Sequence, residues 1–175
     1  MEIRTGRLLL RPLVATDAPA IQQMASDPKI AATTLAVPHP YPDGAAAAWI
    51  ESHSELRQRH HRIWGIERHG DGTVVGTVAL RGNPVHRRAE LGYWIGVPFQ
   101  GHGYATEAVR AVVRFGFEIA DLERIYAQHL DGNLASGRVM QKAGLRFEGI
   151  LRHCVFKDGR HWDTPMYAIL SSDER

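Results

Sequence analysis

The stretch Val97-Pro98-Phe99-Gln100-Gly101-His102-Gly103-Tyr104-Ala105-Thr106-Glu107 limits the possible folds more than any other part of the chain. Before it, residues 89–97 read as a strand that Pro98 stops. After it, Ala105, Ala108, Val109, Val112, Val113, Gly116 and Phe117 fall on one face of a helix over about 103–119. A strand that leads through a glycine joint into a one-faced helix requires a sheet for that face to lie on. Gly101 and Gly103 remove side chains where the backbone can approach a ligand, and they permit turns that point successive amides the same way. The helix start adds free N–H groups and the positive end of its dipole, which together suit a phosphate. The same glycines would equally serve a plain tight turn.

The remaining pattern supplies the sheet. Residues 3–13 read as a strand ending at Pro12, and Thr16-Asp17 caps a helix over about 17–26 that stops near Asp27-Pro28. Val37-Pro38-His39-Pro40-Tyr41-Pro42 is excluded from helix, and Asp43 then caps a helix carrying Trp49, Ile50, His53, Leu56 and His60. Residues 62–68 and 73–81 form a hairpin whose turn uses Asp71-Gly72, followed by the strand at 89–97. A strand at 125–130, a helix at 133–143 broken by Gly144, and strands at 145–155 and 161–170 about the Asp158-Gly159 turn complete the chain. The order β-α-α-β-β-β-α-β-α-β-β is that of a mixed α/β fold, one sheet with helices against it. With no repeat or linker, the 175 residues read as a single domain over 1–175.

Composition narrows the function classes. The 21 Lys+Arg against 19 Asp+Glu leave a net charge of +2, which is no footprint for nucleic acid. No apolar run approaches the ~20 residues of a membrane-spanning helix, and the N-terminus lacks a signal-peptide core. The lone Cys154 excludes an intramolecular disulfide, so we expect a cytoplasmic protein with no membrane partner. Ten histidines tempt a metal reading, but His-Glu-x-x-His is absent and His153-Cys154 with His161 lacks a fourth ligand, so no metal is expected. Paired His60-His61 is read as answering a helix end or solvent. The nucleotide-hydrolysing phosphate loop is absent, and Thr106 stands where a dinucleotide fingerprint wants glycine.

Gln100-x-x-Gly103-x-Ala105 resembles the Gln/Arg-x-x-Gly-x-Gly/Ala motif of the GNAT superfamily of acetyl-CoA-dependent N-acetyltransferases. Asn133, Ala135, Ser136, Val139, Lys142, Gly144 and Leu145 resemble the second diagnostic segment of its RimJ/RimL-like branch. Glu90-Leu91-Gly92-Tyr93-Trp94-Ile95, the opening Thr5-x-Arg7-Leu8-x-Leu10-Arg11-Pro12 and the closing Lys157-Asp158-Gly159-Arg160 with Asp163 and Tyr167 are similar to that branch as well. The resemblance implies a central, mostly antiparallel sheet with a splayed strand pair and about four flanking helices. It also implies acetyl-CoA as cosubstrate, transfer to a primary amine (a protein N-terminus or a small molecule), and a monomer or homodimer. A non-catalytic acyl-CoA sensor is the alternative.

Residue by residue, the resemblance puts the pyrophosphate on Gln100, Gly101, Gly103, Tyr104 and Ala105, with His102 as an extra donor. The pantetheine arm would run along Tyr93, Trp94, Ile95 and Val97, an amide near Ile95 to Val97 polarising the thioester carbonyl. Asn133 would bind the pantetheine region or cap its own helix, Asp131 being a substitute cap. Ser136 would protonate the departing thiolate, and Arg138 and Lys142 would meet the 3′-phosphate or solvent. Glu90 is the first candidate base, set against an ion pair with Arg87 or Arg88. Asp163 is the second and Glu148 the third. His39 and Tyr41, with Trp49 or Trp94 behind them, are candidates to line the acceptor wall. Cys154 reads as a buried small hydrophobe rather than a nucleophile.

Overall fold

A computed structural model describes residues 1–174. Eight strands form one sheet: β1 (Ile3–Arg4), β2 (Leu8–Arg11), β3 (His61–Arg68), β4 (Val74–Asn83), β5 (Arg88–Ile95), β6 (Arg124–Gln128), β7 (Arg146–Lys157) and β8 (Arg160–Leu170). Their spatial order is β1-β2-β3-β4-β5-β6-β8-β7. Every pairing is antiparallel except β5 with β6. The helices are α1 (Ala18–Ala25), α2 (Pro28–Thr33), α3 (Ala45–Glu51), α4 (His53–Gln58), α5 (Tyr104–Glu118) and α6 (Leu134–Lys142). The six segments lie in four helical stretches, because α1 and α2, and α3 and α4, are each separated by only a short break. None is long and apolar enough to cross a membrane among the described residues.

Local chemistry explains where these elements depart from expectation. The first strand breaks at residues 5–7, because the Glu107 carboxylate accepts from Thr5 Oγ1 (2.7 Å) and Arg7 N–H (2.8 Å) and folds the chain back on itself. Pro28 opens α2 instead of ending a helix, since its fixed φ suits a first helical turn and Asp27 accepts from Lys29 N–H at 2.9 Å. Asp17 does not cap α1. Its carboxylate grips Arg11 through two bonds of 2.7 and 2.9 Å and takes the Val14 N–H at 2.8 Å. Asp43 is no cap either, because left-handed Gly44 begins α3.

The two faces of the sheet carry separate cores. One buries Leu91, Ile95, Val109, Val112 and Ile125 between the sheet and α5, each fully buried side chain contributing about 1.5–3 kcal/mol. The other gathers Leu13, Ile21, Met24, Ala46 and Ile50, with Trp94 against it, beneath α1 and α3. Strand β5 faces both ways, Tyr93 toward the first core and Trp94 toward the second.

The β5–β6 pair opens almost at once. Only Arg88, Ala89 and Glu90 of β5 pair with β6, opposite Arg124, Ile125 and Tyr126. Beyond Glu90, residues 91–95 keep only their β4 partners, down to Ile95 opposite Gly76. Backbone groups along one side of β5 are thereby left without a sheet neighbour, and the gap positions the site described next.

Candidate active site

A cavity of about 710 Å³ occupies this gap. All six residues from Glu90 to Ile95 line it. Successive strand side chains point to opposite faces, so the cavity reaches both faces of the sheet through the opening.

On one side the wall is the glycine joint and the start of α5. Gly101 (φ +82°) and Gly103 (φ +80°) both adopt left-handed backbone, and a Cβ on Gly101 would meet no atom within 4 Å. Gly103 begins α5 without a side-chain cap, and the Arg7 guanidinium stands beside it, Nη2 lying 3.5 Å from where a Cβ would project. Gln100 Nε2 donates to the Ile95 carbonyl at 2.9 Å and ties the joint to the end of β5. An uncapped 15-residue helix behind two bare glycines fits a phosphate-bearing ligand, and Arg138 and Lys142 add positive charge to the same lining.

Where α6 meets β5, Tyr93 Oη donates to the Ser136 carbonyl at 3.0 Å and lies 2.8 Å from Ser136 Oγ. Burial pushes the Tyr93 phenol up to about 12 although the Ser136 hydroxyl pulls the other way, so it stays protonated. Asn133 is a helix cap: Oδ1 accepts from Ser136 N–H at 3.2 Å, while Nδ2 donates to the Thr33 carbonyl at 3.1 Å. Asp131 accepts from Gly132 N–H instead of capping α6. Lys157 Nζ donates to the Thr34 carbonyl at 2.7 Å and to that of Ala31, so Asn133 and Lys157 together hold the end of α2 against the cavity.

On the opposite sheet face, His61, Arg81 and Glu90 stand in one cross-strand row, His61 opposite Arg81 and Arg81 opposite Glu90. Directly paired residues share a face, and all three line the cavity. Arg81 Nη1 lies 3.6 Å from Glu90 Oε2. The expected partners of Glu90 are absent from this contact, since Arg87 turns away to Asp121 at 2.7 Å. Burial, with the charges of Arg81 and Arg59, outweighs the opposing charge of Glu90 and holds the His61 imidazole below its ordinary value, which favours its neutral form.

Most of the residues singled out from sequence converge here: Tyr41, Glu90, Tyr93, Trp94, Ile95, Gln100, Gly101, Gly103, Tyr104, Ala105, Asn133, Ser136, Arg138 and Lys142 line the cavity. Four do not. Val97 lies in the turn past β5, and His39 is exposed in the proline segment. His102 is exposed, its ring stacked on Tyr104 with centroids 5.6 Å apart. Asp163 accepts from His153 N–H at 2.8 Å and braces an irregularity between β7 and β8. Within the 95–97 stretch, Gly96 N–H is already given to the Val75 carbonyl at 2.9 Å. Glu148 also lies outside, paired with Arg124, whose guanidinium keeps its carboxyl below the usual range. Cys154 is exposed rather than buried.

Sequence reasoning missed His61, Arg81, the buried His129 and the 33–36 wall, whereas Val37 belongs to the proline segment expected to line the acceptor side. The hairpin register held the signal for the first two, because His61 and Arg81 lie equally far from the turn at Asp71. His129 and the 33–36 wall had no local signal.

The acetyltransferase (GNAT) domain model matches residues 7–146. The uncharacterized N-acetyltransferase YoaA of Bacillus subtilis (strain 168) is 33% identical over 174 residues, 98% of each chain. A GNAT-family acetyltransferase from Bacillus anthracis superposes with a TM-score of 0.89 at 26% identity, covering 98% of this chain and 99% of that one. RimL, a ribosomal L7/L12 alpha-N-protein acetyltransferase solved with coenzyme A, shares the fold at TM-score 0.88 and 20% identity over 97% and 98% of the two chains.

Proposed function

The chain belongs to the GNAT family of acetyltransferases, which use acetyl-CoA, and from that premise we propose direct acetyl transfer to a primary amine, a protein N-terminus or a small molecule, in a ternary complex. One observation carries the reading. One continuous cavity opens on both sheet faces, with the glycine joint and the start of α5 on one and the Glu90 carboxylate and His61 imidazole on the other.

Acetyl-CoA supplies the activated thioester. The joint at 100–106 holds its phosphates on backbone amides, and the unpaired side of β5 offers groups to the pantetheine arm. Glu90 takes the proton the amine must lose as its nitrogen bonds the acetyl carbon, and neutral His61 is the second proton acceptor on that face. As the carbon–sulfur bond breaks, Ser136 donates a hydrogen bond to the departing sulfur, and the proton taken up by Glu90 passes to solvent, from which the thiolate is protonated. Tyr93 has one hydrogen and two acceptors on Ser136, so turning it from the carbonyl to Oγ frees the Ser136 hydrogen for that donation.

The experiment is thiol release measured across amines and peptides, with calorimetry of CoA binding alongside. Acetyl-CoA-dependent thiol release with at least one amine is expected. A folded protein that binds no acyl-CoA would refute the proposal.

A further inference from the structure

The charges lining the cavity also bear on the acceptor, given the transfer reading above. Among the described residues that line it, Glu90 is the single carboxylate, whereas Arg81, Arg138 and Lys142 bring three positive charges. Arg138 and Lys142 stand on α6 with the phosphate cradle, leaving Arg81 and Glu90 as the charged pair of the opposite face. Among the described residues neither of these two side chains makes a hydrogen bond. They approach only to 3.6 Å, with 44% and 24% of their side-chain surfaces exposed. Arg81 also overhangs Gly92, whose absent side chain leaves room beside the guanidinium: a Cβ there would lie 3.8 Å from both terminal nitrogens.

A loose, partly dehydrated Arg–Glu pair on a cavity floor complements a molecule bearing the opposite pair. An ammonium can face Glu90 while a carboxylate meets the planar fork of Arg81 through two charge-assisted bonds. A polyamine meets the reverse situation, with several positive charges and one carboxylate already shared with an arginine. We propose that the acceptor carries a carboxylate a few bonds from its reactive amine, and that Arg81 selects it. Two molecules present this chemistry: a free amino acid, and a peptide whose first residue is Asp or Glu. Arg81 is thus a specificity residue and Glu90 the group that meets the amine.

The test measures acetyl transfer and, with CoA saturating, calorimetric binding for matched acceptors: free amino acids and their amides, peptides starting with Glu or Gln, and spermidine. The wild type is expected to favour the carboxylate member of a pair by about tenfold or more, equivalent to about 1.4 kcal/mol. Preference within the amino-acid pair or within the peptide pair identifies the source. Arg81→Gln should erase the preference through KM and leave CoA affinity and the thermal midpoint unchanged. Arg81→Lys should restore part of it, since the charge returns without the fork. Equal use of both members, survival of the preference in Arg81→Gln, or spermidine as the best acceptor would each overturn the proposal. Loss of CoA binding in the wild type would instead refute the transfer reading itself, and the calorimetry separates the two failures.

Discussion

Replacing Gly101 by alanine isolates what the glycine joint does. Gly101 sits at φ +82° with open space where a Cβ would project, so the new methyl group meets no protein atom within 4 Å. Its cost to folding is then the left-handed strain alone, about 1–2 kcal/mol. For a chain of this size that lowers the melting midpoint by about 2–8 °C. Gly159, in the β7–β8 turn, has φ +76° and equally open surroundings, and it does not line the cavity. Gly159→Ala should therefore lose the same stability. The two variants part company in CoA affinity, measured by calorimetry at a temperature where both stay folded. If the amides around Gly101 cradle phosphate, its methyl group stands in the ligand's space and affinity falls about tenfold or more, about 1.4 kcal/mol. Gly159→Ala should bind as the wild type does. Equal affinity in both variants would show that Gly101 serves only the turn, and the cradle argument would fail.

Glu90→Gln should lower kcat/KM by about a hundredfold or more while CoA binding persists, read from initial rates and calorimetry. Tyr93→Phe removes a part-buried hydroxyl bonded to Ser136, so denaturant unfolding should report a loss of about 1 kcal/mol and kcat should drop more than the KM for acetyl-CoA changes. Gly76→Ala would place a Cβ 2.2 Å from the Trp94 carbonyl oxygen and 2.9 Å from Ile95 Cα; unfolding should show a loss of about 3 kcal/mol, and an undisturbed midpoint would contradict the packing. Burial alone would raise the Asp17 carboxyl, but Arg11 and the Val14 N–H bring it below its ordinary value. Its stabilisation is therefore complete above the unfolded value of about 3.9 and is lost as pH falls through the lower folded one. Asp17→Asn should cost about 3 kcal/mol at pH 7, and its unfolding free energy should fall less than that of the wild type below about pH 4.

How much was legible beforehand depended on how local the controlling interaction is. The glycine joint, the one-faced helix α5 and the two hairpin turns are written in short-range terms, since backbone sterics and apolar periodicity act within a few residues. The cap expected for α1 fails within a short segment: the carboxylate that suits an N-cap turns back to the Arg11 guanidinium, six residues earlier, and to the Val14 N–H. Asn133 combines both scales: its cap is local and one of its two expected uses, while its second bond, to Thr33, joins residues 100 apart in the chain.

The catalytic candidates divide along the same line. The family resemblance named Ser136 and Glu90 as catalytic candidates and Tyr93 as a cofactor contact, but the Tyr93–Ser136 contact depends on α6 docking against β5. Asp163 lay in a segment as suggestive as that of Glu90, yet it became a brace for the β7–β8 irregularity, because an edge bulge exposes an N–H that must find an acceptor.

Order of elements, the phosphate-suited joint and the family were determined by the sequence alone, because each rests on contacts between near neighbours or on motifs in sequence order. Only the tertiary structure decided which side chains share the cavity. Strand register put Arg81 beside Glu90 and His61 in their row, and the early parting of β5 from β6 opened the sheet beneath them. Register and splay are settled by packing over the whole sheet, and no short segment contains that sum.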